Sequence, residues 1–115
     1  MARVTSLLFI VPVADLDRAS AFYRAAFELE EVFRNEGIVF VGIPGTEASF
    51  GLVLDAANAG AGPQNVGMHL DHALDRAAAL RDVESAGGRI LETGEHAPDV
   101  PFARIADPDG NVLEI

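Results

Sequence analysis

The sequence predicts an α+β fold built from two successive β-α-β-β-β halves, and two observations support this prediction. The order of apolar, helical and turn-rich segments in residues 1–55 is repeated in residues 66–115. The tetrapeptide Leu16-Asp17-Arg18-Ala19 also recurs as Leu74-Asp75-Arg76-Ala77, beside the predicted helix of each half. A repeat of this kind predicts two curved mixed sheets around a shared cleft.

The first half opens with a run of apolar and β-branched residues at 4–12, which predicts a strand buried on both faces. Asp15 follows, and apolar side chains then recur at helical spacing through residues 16–27, which predicts an amphipathic helix with one buried face. Three short strands are predicted near residues 31–34, 38–43 and 49–55, because Asn, Gly and Pro punctuate the chain between them.

The second half repeats this order after a Gly- and Ala-rich linker without periodicity. A strand at 66–71 and a helix at 74–86 are predicted, and Gly87-Gly88 ends the helix. Strands near residues 89–92, 102–106 and 112–115 complete the half. We therefore expect a single domain, with a first module at about 1–55, the linker at about 56–65 and a second module at about 66–115.

Composition narrows the classes of partner. Eight basic and eighteen acidic residues give a net charge of −10, which repels nucleic acid and anionic lipid and attracts cationic ligands. The absence of cysteine excludes disulfides, thiolate metal sites and cysteine nucleophiles, and it fits a cytoplasmic location. The apolar run at 7–13 is shorter than the roughly 20 residues of a membrane-spanning helix, so no membrane partner is expected.

Residues 107–111, Asp-Pro-Asp-Gly-Asn, predict a tight turn between the last two strands, because proline restricts φ and glycine allows positive φ. Pairing of its two ends places Ile105 opposite Leu113 and Arg104 opposite Glu114, which keeps the apolar residues on one face. Arg104 and Glu114 are therefore predicted to share the other face and to form a salt bridge.

Three segments together resemble the vicinal-oxygen-chelate superfamily, which contains glyoxalase I, extradiol dioxygenases and bleomycin-resistance proteins. They are residues 13–23 (Val-Ala-Asp-Leu-Asp-Arg-Ala-Ser-Ala-Phe-Tyr), the glycine pair at 87–88, and residues 107–115 (Asp-Pro-Asp-Gly-Asn-Val-Leu-Glu-Ile). The resemblance implies the glyoxalase/bleomycin-resistance fold, with a sheet curled around a pocket in each half, and a homodimer.

Metal-dependent members of this superfamily use His or Glu ligands from equivalent strands of both halves, including a Glu near the end of the last strand. Glu114 matches that position. The first-strand position, five residues before Val13, is occupied by Leu8, and residues 52–54 near the end of the fourth strand are Leu, Val and Leu. Leucine and valine cannot bind a metal, so the resemblance does not extend to the ligands of the first half.

The ligand position of the fifth strand stays open among Val66, Met68 and His69. Strand alternation favours His69 facing the cleft, since Val66 and Met68 would then pack on the helix. His96 falls in the predicted loop at 94–101 and is left without a role. Glu114 and His69 are thus the residual candidates for catalysis or metal binding, whereas catalytic metal sites commonly have three protein ligands. A divalent ion such as Ni²⁺, Zn²⁺, Mn²⁺ or Fe²⁺ is therefore not expected.

The loss of these ligands favours a metal-free binding protein that is similar to bleomycin-resistance and other drug-sequestering proteins and holds a small aromatic or cationic molecule. The alternative is a metal-dependent glyoxalase-type lyase or isomerase, or a dioxygenase, that uses a reduced ligand set. The residues predicted to line the ligand site are Leu8, Ile10, Phe50, His69, Phe102, Arg104 and Glu114.

Overall fold

The computed structural model describes residues 2–5, 7–62, 66–70 and 75–115. Its helices and strands follow the predicted order, with β-α-β-β-β in each half. The elements are β1 (Ile10–Val13), α1 (Leu16–Phe27), β2 (Glu30–Arg34), β3 (Ile38–Gly42), β4 (Ser49–Leu54), β5 (Val66–Gly67), α2 (Arg76–Ser85), β6 (Arg89–Ala97), β7 (Val100–Ala106) and β8 (Val112–Glu114).

Each half forms a four-stranded mixed sheet. The strand order is β1-β4-β3-β2 in the first sheet and β5-β8-β7-β6 in the second. In both sheets the first and last strands of the half are parallel neighbours, and the other pairs are antiparallel. The same topology occurs twice, so the predicted α+β architecture of two β-α-β-β-β units is confirmed.

The first strand is much shorter than the predicted strand at 4–12 and is not buried on both faces. β1 begins at Ile10, and before it Leu7 and Phe9 are 83% and 62% exposed. Val11 and Val13 are fully buried whereas Ile10 is 51% exposed, so only one face of β1 packs on the core. The apolar run at 4–12 therefore predicted burial on both faces, but most of its residues are exposed in the folded chain.

The repeated tetrapeptide does not occupy equivalent places in the two helices. In the first half Asp15 is the N-cap of α1, and its carboxylate accepts a hydrogen bond from the Arg18 amide. In the second half the N-cap is Asp75, which belongs to the repeated tetrapeptide itself. The two copies are therefore offset by two residues relative to the helix starts, and the structural repeat does not depend on them.

The hairpin between β6 and β7 is longer than predicted, and the strand β5 is shorter. The predicted loop at 94–101 is a continuation of β6 and β7, with a turn at Asp99, whose φ of 63° lies in the left-handed region. In β5 only Val66–Gly67 is strand, and residues 68–70 have no regular structure. Residue 71, the last of the predicted strand at 66–71, lies outside the described residues.

One hydrophobic core joins the two halves. Phe22 and Tyr23 of α1 and Leu52 of β4 belong to the same buried cluster as Ile105 and Leu113 of the second sheet. The rings of Phe22 and Tyr23 meet edge to face with centroids 5.0 Å apart, a favourable aromatic geometry. The shared core is consistent with a single domain.

The predicted turn at 107–111 also ties the two halves together through buried hydrogen bonds. Its register is as expected, with Ile105 opposite Leu113. Asp107 accepts a hydrogen bond of 2.8 Å from the Tyr23 hydroxyl, and Asn111 Nδ2 donates to the Pro12 carbonyl at 2.8 Å. Burial raises the pKa of Tyr23 well above its usual value, and the Asp107 carboxylate raises it further.

Among the described residues, neither α1 nor α2 is long and apolar enough to cross a bilayer.

Candidate functional site

The second sheet borders a cavity of about 400 Å³. Its wall combines the apolar side chains of Met68, Val100 and Phe102 with polar groups from several elements. The titratable side chains that line it are His69, Arg76, His96, Asp99 and Glu114. Apolar pockets into which a few polar groups converge are typical small-molecule sites.

Glu114 lies in β8 on the face of the sheet that borders this cavity, next to His96. The distance between Glu114 Oε1 and His96 Nε2 is 3.2 Å, and the two side chains are 45% and 54% exposed. Arg104 is the cross-strand neighbour of Glu114, as predicted, but its guanidinium pairs with Glu92 at 3.5 Å. Arg104 is flanked by Glu92 on β6 and Glu114 on β8. Because Arg104 pairs with Glu92, the carboxylate of Glu114 contacts His96 instead.

His96 also covers an aromatic side chain. Its ring stacks on Phe102 with centroids 4.3 Å apart and an interplanar angle of 18°. Phe102 stands opposite Gly94 in the hairpin, and a Cβ on Gly94 would lie 2.9 Å from the Phe102 ring. Glycine at position 94 therefore lets the Phe102 ring lie over the backbone of the neighbouring strand.

The remaining polar residues come from the segment after β5 and from α2. His69 follows β5 and is exposed, whereas Met68 and Leu70 on either side of it pack against the core, so burial alternates here as in a strand. Arg76 is at the start of α2 and donates from Nη2 to the carbonyl oxygen of Ile115 at 3.1 Å. Arg76 is thereby held at the cavity wall.

A second, more apolar cavity of about 320 Å³ adjoins the first half. Phe9, Val41 and Phe50 are among its lining residues, and Gly67 and Met68 border both cavities. Phe50 is mostly buried, and its ring centroid lies 5.3 Å from that of Tyr23. The two cavities are thus neighbours across β5.

The structure does not bring the predicted ligand-site residues together in one place. His69, Phe102 and Glu114 line the 400 Å³ cavity, and Phe50 lines the 320 Å³ cavity. Leu8, which precedes β1, and Ile10, which begins β1 opposite Gly51, are about half exposed and line neither of these cavities. Arg104 is on the same sheet as Phe102 but is engaged with Glu92.

Sequence reasoning missed His96, Asp99 and Arg76. The signal for His96 was incomplete, because Glu92 and Gly94 alternate as the side chains of one strand face do, whereas His96 falls at a bulge where alternation does not set the side-chain direction. The glycine and proline residues between 94 and 101 indicated a loop instead, and the tertiary pairing of a long hairpin overrode that signal.

The part of the chain that the structure describes does not reproduce the ligand set that the resemblance implies for metal-dependent members. Within residues 2–5, 7–62, 66–70 and 75–115 no three His, Asp or Glu side chains gather as a metal-binding group. Glu114 has the imidazole of His96 beside it, and the matching positions of the first half hold Leu8 and the aliphatic residues 52–54.

Sequence comparison agrees with this fold. A sequence model described as "Glyoxalase/Bleomycin resistance protein/Dioxygenase superfamily" matches residues 4–115. The chain belongs to this superfamily. The match covers both halves, so the resemblance seen in the three short segments extends over nearly the whole protein. None of the curated proteins matches the chain.

Solved structures of the superfamily fold superpose well on the chain. A glyoxalase-related enzyme from Fulvimarina pelagi has a TM-score of 0.76 at 22% identity, covering 97% of this chain and 87% of that one. A lactoylglutathione lyase from Agrobacterium tumefaciens has a TM-score of 0.73 at 20% identity, with coverages of 97% and 92%. A bleomycin resistance determinant encoded on the transposon Tn5 has a TM-score of 0.68 at 23% identity, with coverages of 96% and 95%. At these identities the likeness concerns the fold alone.

Proposed function

We propose that the protein binds a small aromatic or cationic molecule in the 400 Å³ cavity of its second half, without a metal. The observation that carries this proposal is the juxtaposition of an aromatic face, Phe102, with a carboxylate, Glu114, on the wall of one cavity. Phe102 offers a surface for stacking, and Glu114 offers a partner for a positive charge. The fold shared with the bleomycin resistance determinant is consistent with this proposal.

Thermal shift measurements test the proposal. Heteroaromatic ammonium compounds should raise the melting temperature in proportion to the logarithm of their concentration, because a ligand that binds only the folded state stabilises it. Glu114→Gln should weaken the best of them by about 10-fold or more, since a hydrogen bond to a charged group contributes about 1.5–3 kcal/mol.

Glu95→Gln is the matched control, because it removes an exposed carboxylate from the same sheet, and Glu95 does not line the cavity and is opposite Pro101 rather than Arg104. It should leave the affinity within about twofold of the wild type, as expected for an exposed charge outside the site. Equal losses for both variants would indicate a general charge effect and would contradict a site at Glu114.

The alternative function is an enzyme of the lyase, isomerase or dioxygenase type, which draws support from His69 and Glu114 lining one cavity. The lactoylglutathione lyase from Agrobacterium tumefaciens has the same fold. Metal analysis of protein purified without chelators or a metal column separates the two functions. Near-stoichiometric Ni²⁺, Zn²⁺, Mn²⁺ or Fe²⁺ would favour the enzyme and overturn metal-free binding.

A homodimer is the second part of the proposal. Leu7, Phe9 and Ile10 present apolar side chains to solvent beside β1, which is an edge strand of the first sheet. An apolar segment next to an unpaired strand edge is a surface that another copy can cover. We expect light scattering to report a dimer for the wild type and a monomer for Leu7→Glu.

Leu91→Glu is the control for the dimer, because Leu91 is another exposed leucine, on β6 of the second sheet. This variant should remain a dimer. A monomeric wild type, or dissociation of both variants alike, would count against an interface at the segment before β1.

A further inference from the structure

The side chain of His96 makes both contacts that the proposed ligand would need. Its ring stacks on Phe102 at 4.3 Å, and its Nε2 meets the Glu114 carboxylate at 3.2 Å. A flat ring on an aromatic face, with a nitrogen at its edge directed at a carboxylate, is how a protein holds a planar nitrogen base. The His96 imidazole thus makes the two contacts that a bound planar base would make.

We infer that His96 occupies the position of the ligand's planar group, and that the ligand is a planar nitrogen cation, either an amidinium or a protonated heteroaromatic ring. The inference rests on the proposed function and specifies the ligand class of the same cavity. His96 competes with the ligand for Phe102 and Glu114, so the ligand gains access to them only when the imidazole swings out.

The backbone around His96 allows such a movement. The pairing of β6 with β7 shifts register between Glu95 and Ala97, so His96 is the extra residue of a bulge, where side-chain direction is not set by regular alternation. The side chain is 54% exposed and therefore has solvent into which it can rotate.

Phe102 keeps its position when His96 moves. Its ring lies over Gly94, where a Cβ would approach to 2.9 Å, so the flat arrangement of the ring does not depend on the imidazole. The backbone of Glu114 is likewise fixed, because the strand β8 is paired on both edges, with β5 and with β7. The displaced imidazole therefore leaves behind a formed aromatic surface and a carboxylate.

Benzamidine is a suitable probe, because its aromatic ring carries a planar amidinium that is cationic at neutral pH. Calorimetric titration should give about tenfold tighter binding to His96→Ala than to the wild type, since removal of a competing conformation raises the competent fraction. Introducing Glu114→Gln into His96→Ala should abolish this gain. Benzamide, which has the same shape without the charge, should bind each form at least about tenfold more weakly than benzamidine, because it lacks the charge-assisted hydrogen bond to Glu114.

Thr93→Ala is the control for effects on the hairpin itself, because Thr93 is on β6 opposite Ala103, a residue buried on the other face of the sheet. It should not tighten binding. Circular dichroism and the melting temperature establish that each variant is folded, and His96→Gln serves as a second variant that retains a side chain while removing the ring.

The outcomes separate this inference from the proposed function. If benzamidine binds in a Glu114-dependent way but binds His96→Ala and His96→Gln no more tightly than the wild type, His96 does not compete with the ligand, and the proposed site at Glu114 is still supported. Binding of benzamide as tight as that of benzamidine would overturn the cationic class. Absence of any benzamidine binding overturns the inference, and only the further failure of the wider ammonium series would overturn the proposed function as well.

Discussion

Asp107→Ala should lower the free energy of unfolding by about 3–4 kcal/mol, because it removes the acceptor of a buried network. Asp107 is 2% exposed and accepts hydrogen bonds from the Tyr23 hydroxyl, from the Asp109 amide and from both the amide and the side chain of Asn111. Alanine would leave these donors without their partner. Urea denaturation monitored by circular dichroism measures the loss.

Asp82→Ala is the control for this prediction, since Asp82 is an exposed aspartate within α2. It should change stability by no more than about 0.5 kcal/mol, as is usual for surface substitutions. If Asp107→Ala does not fold, Tyr23→Phe tests the same network by removing one hydrogen bond, at a cost of about 1 kcal/mol. A loss no greater for Asp107→Ala than for Asp82→Ala would show that the network does not join the two halves energetically.

Gly88→Ala should lower the free energy of unfolding by about 2–3 kcal/mol through overpacking. A Cβ at this position would lie 2.7 Å from the Phe22 ring, 2.8 Å from Val83 Cγ1 and 2.9 Å from the Ala106 carbonyl oxygen. These three groups belong to α1, α2 and β7, so the added methyl group would clash with three different elements. Phe22 has little room to yield, because its ring packs edge to face against Tyr23 and Phe27.

Gly67→Ala is the matched control, because a Cβ at Gly67 would have no neighbour within 4 Å. Its effect on stability should be within about 0.5 kcal/mol of zero, or slightly stabilising through reduced freedom of the unfolded chain. Thermal and urea denaturation of the two variants should therefore differ clearly. If both variants were equally stable, α1 and α2 would pack less tightly at Gly88 than the structure indicates.

Local signals were strong enough to predict the turn at 107–111 and its register. Proline, glycine and the alternation of apolar residues act within a few positions, so the pairing of Ile105 with Leu113 followed from the chain alone. The predicted salt bridge between Arg104 and Glu114 was wrong, because an arginine between two acidic neighbours can pair with either of them. Packing of the long hairpin decided in favour of Glu92.

By itself, the sequence determined the α+β class, the two β-α-β-β-β units, the helix stop at the glycine pair and Glu114 as a residue of the second sheet. These features depend on periodicity and turn chemistry, which are local. Only the tertiary structure decided that His96 contacts Glu114 and Phe102, because these contacts require β6 and β7 to continue into residues 94–101, which were expected to form a loop. It also decided that the apolar segment before β1 stays exposed, since burial depends on which elements remain to cover a strand after the chain has folded.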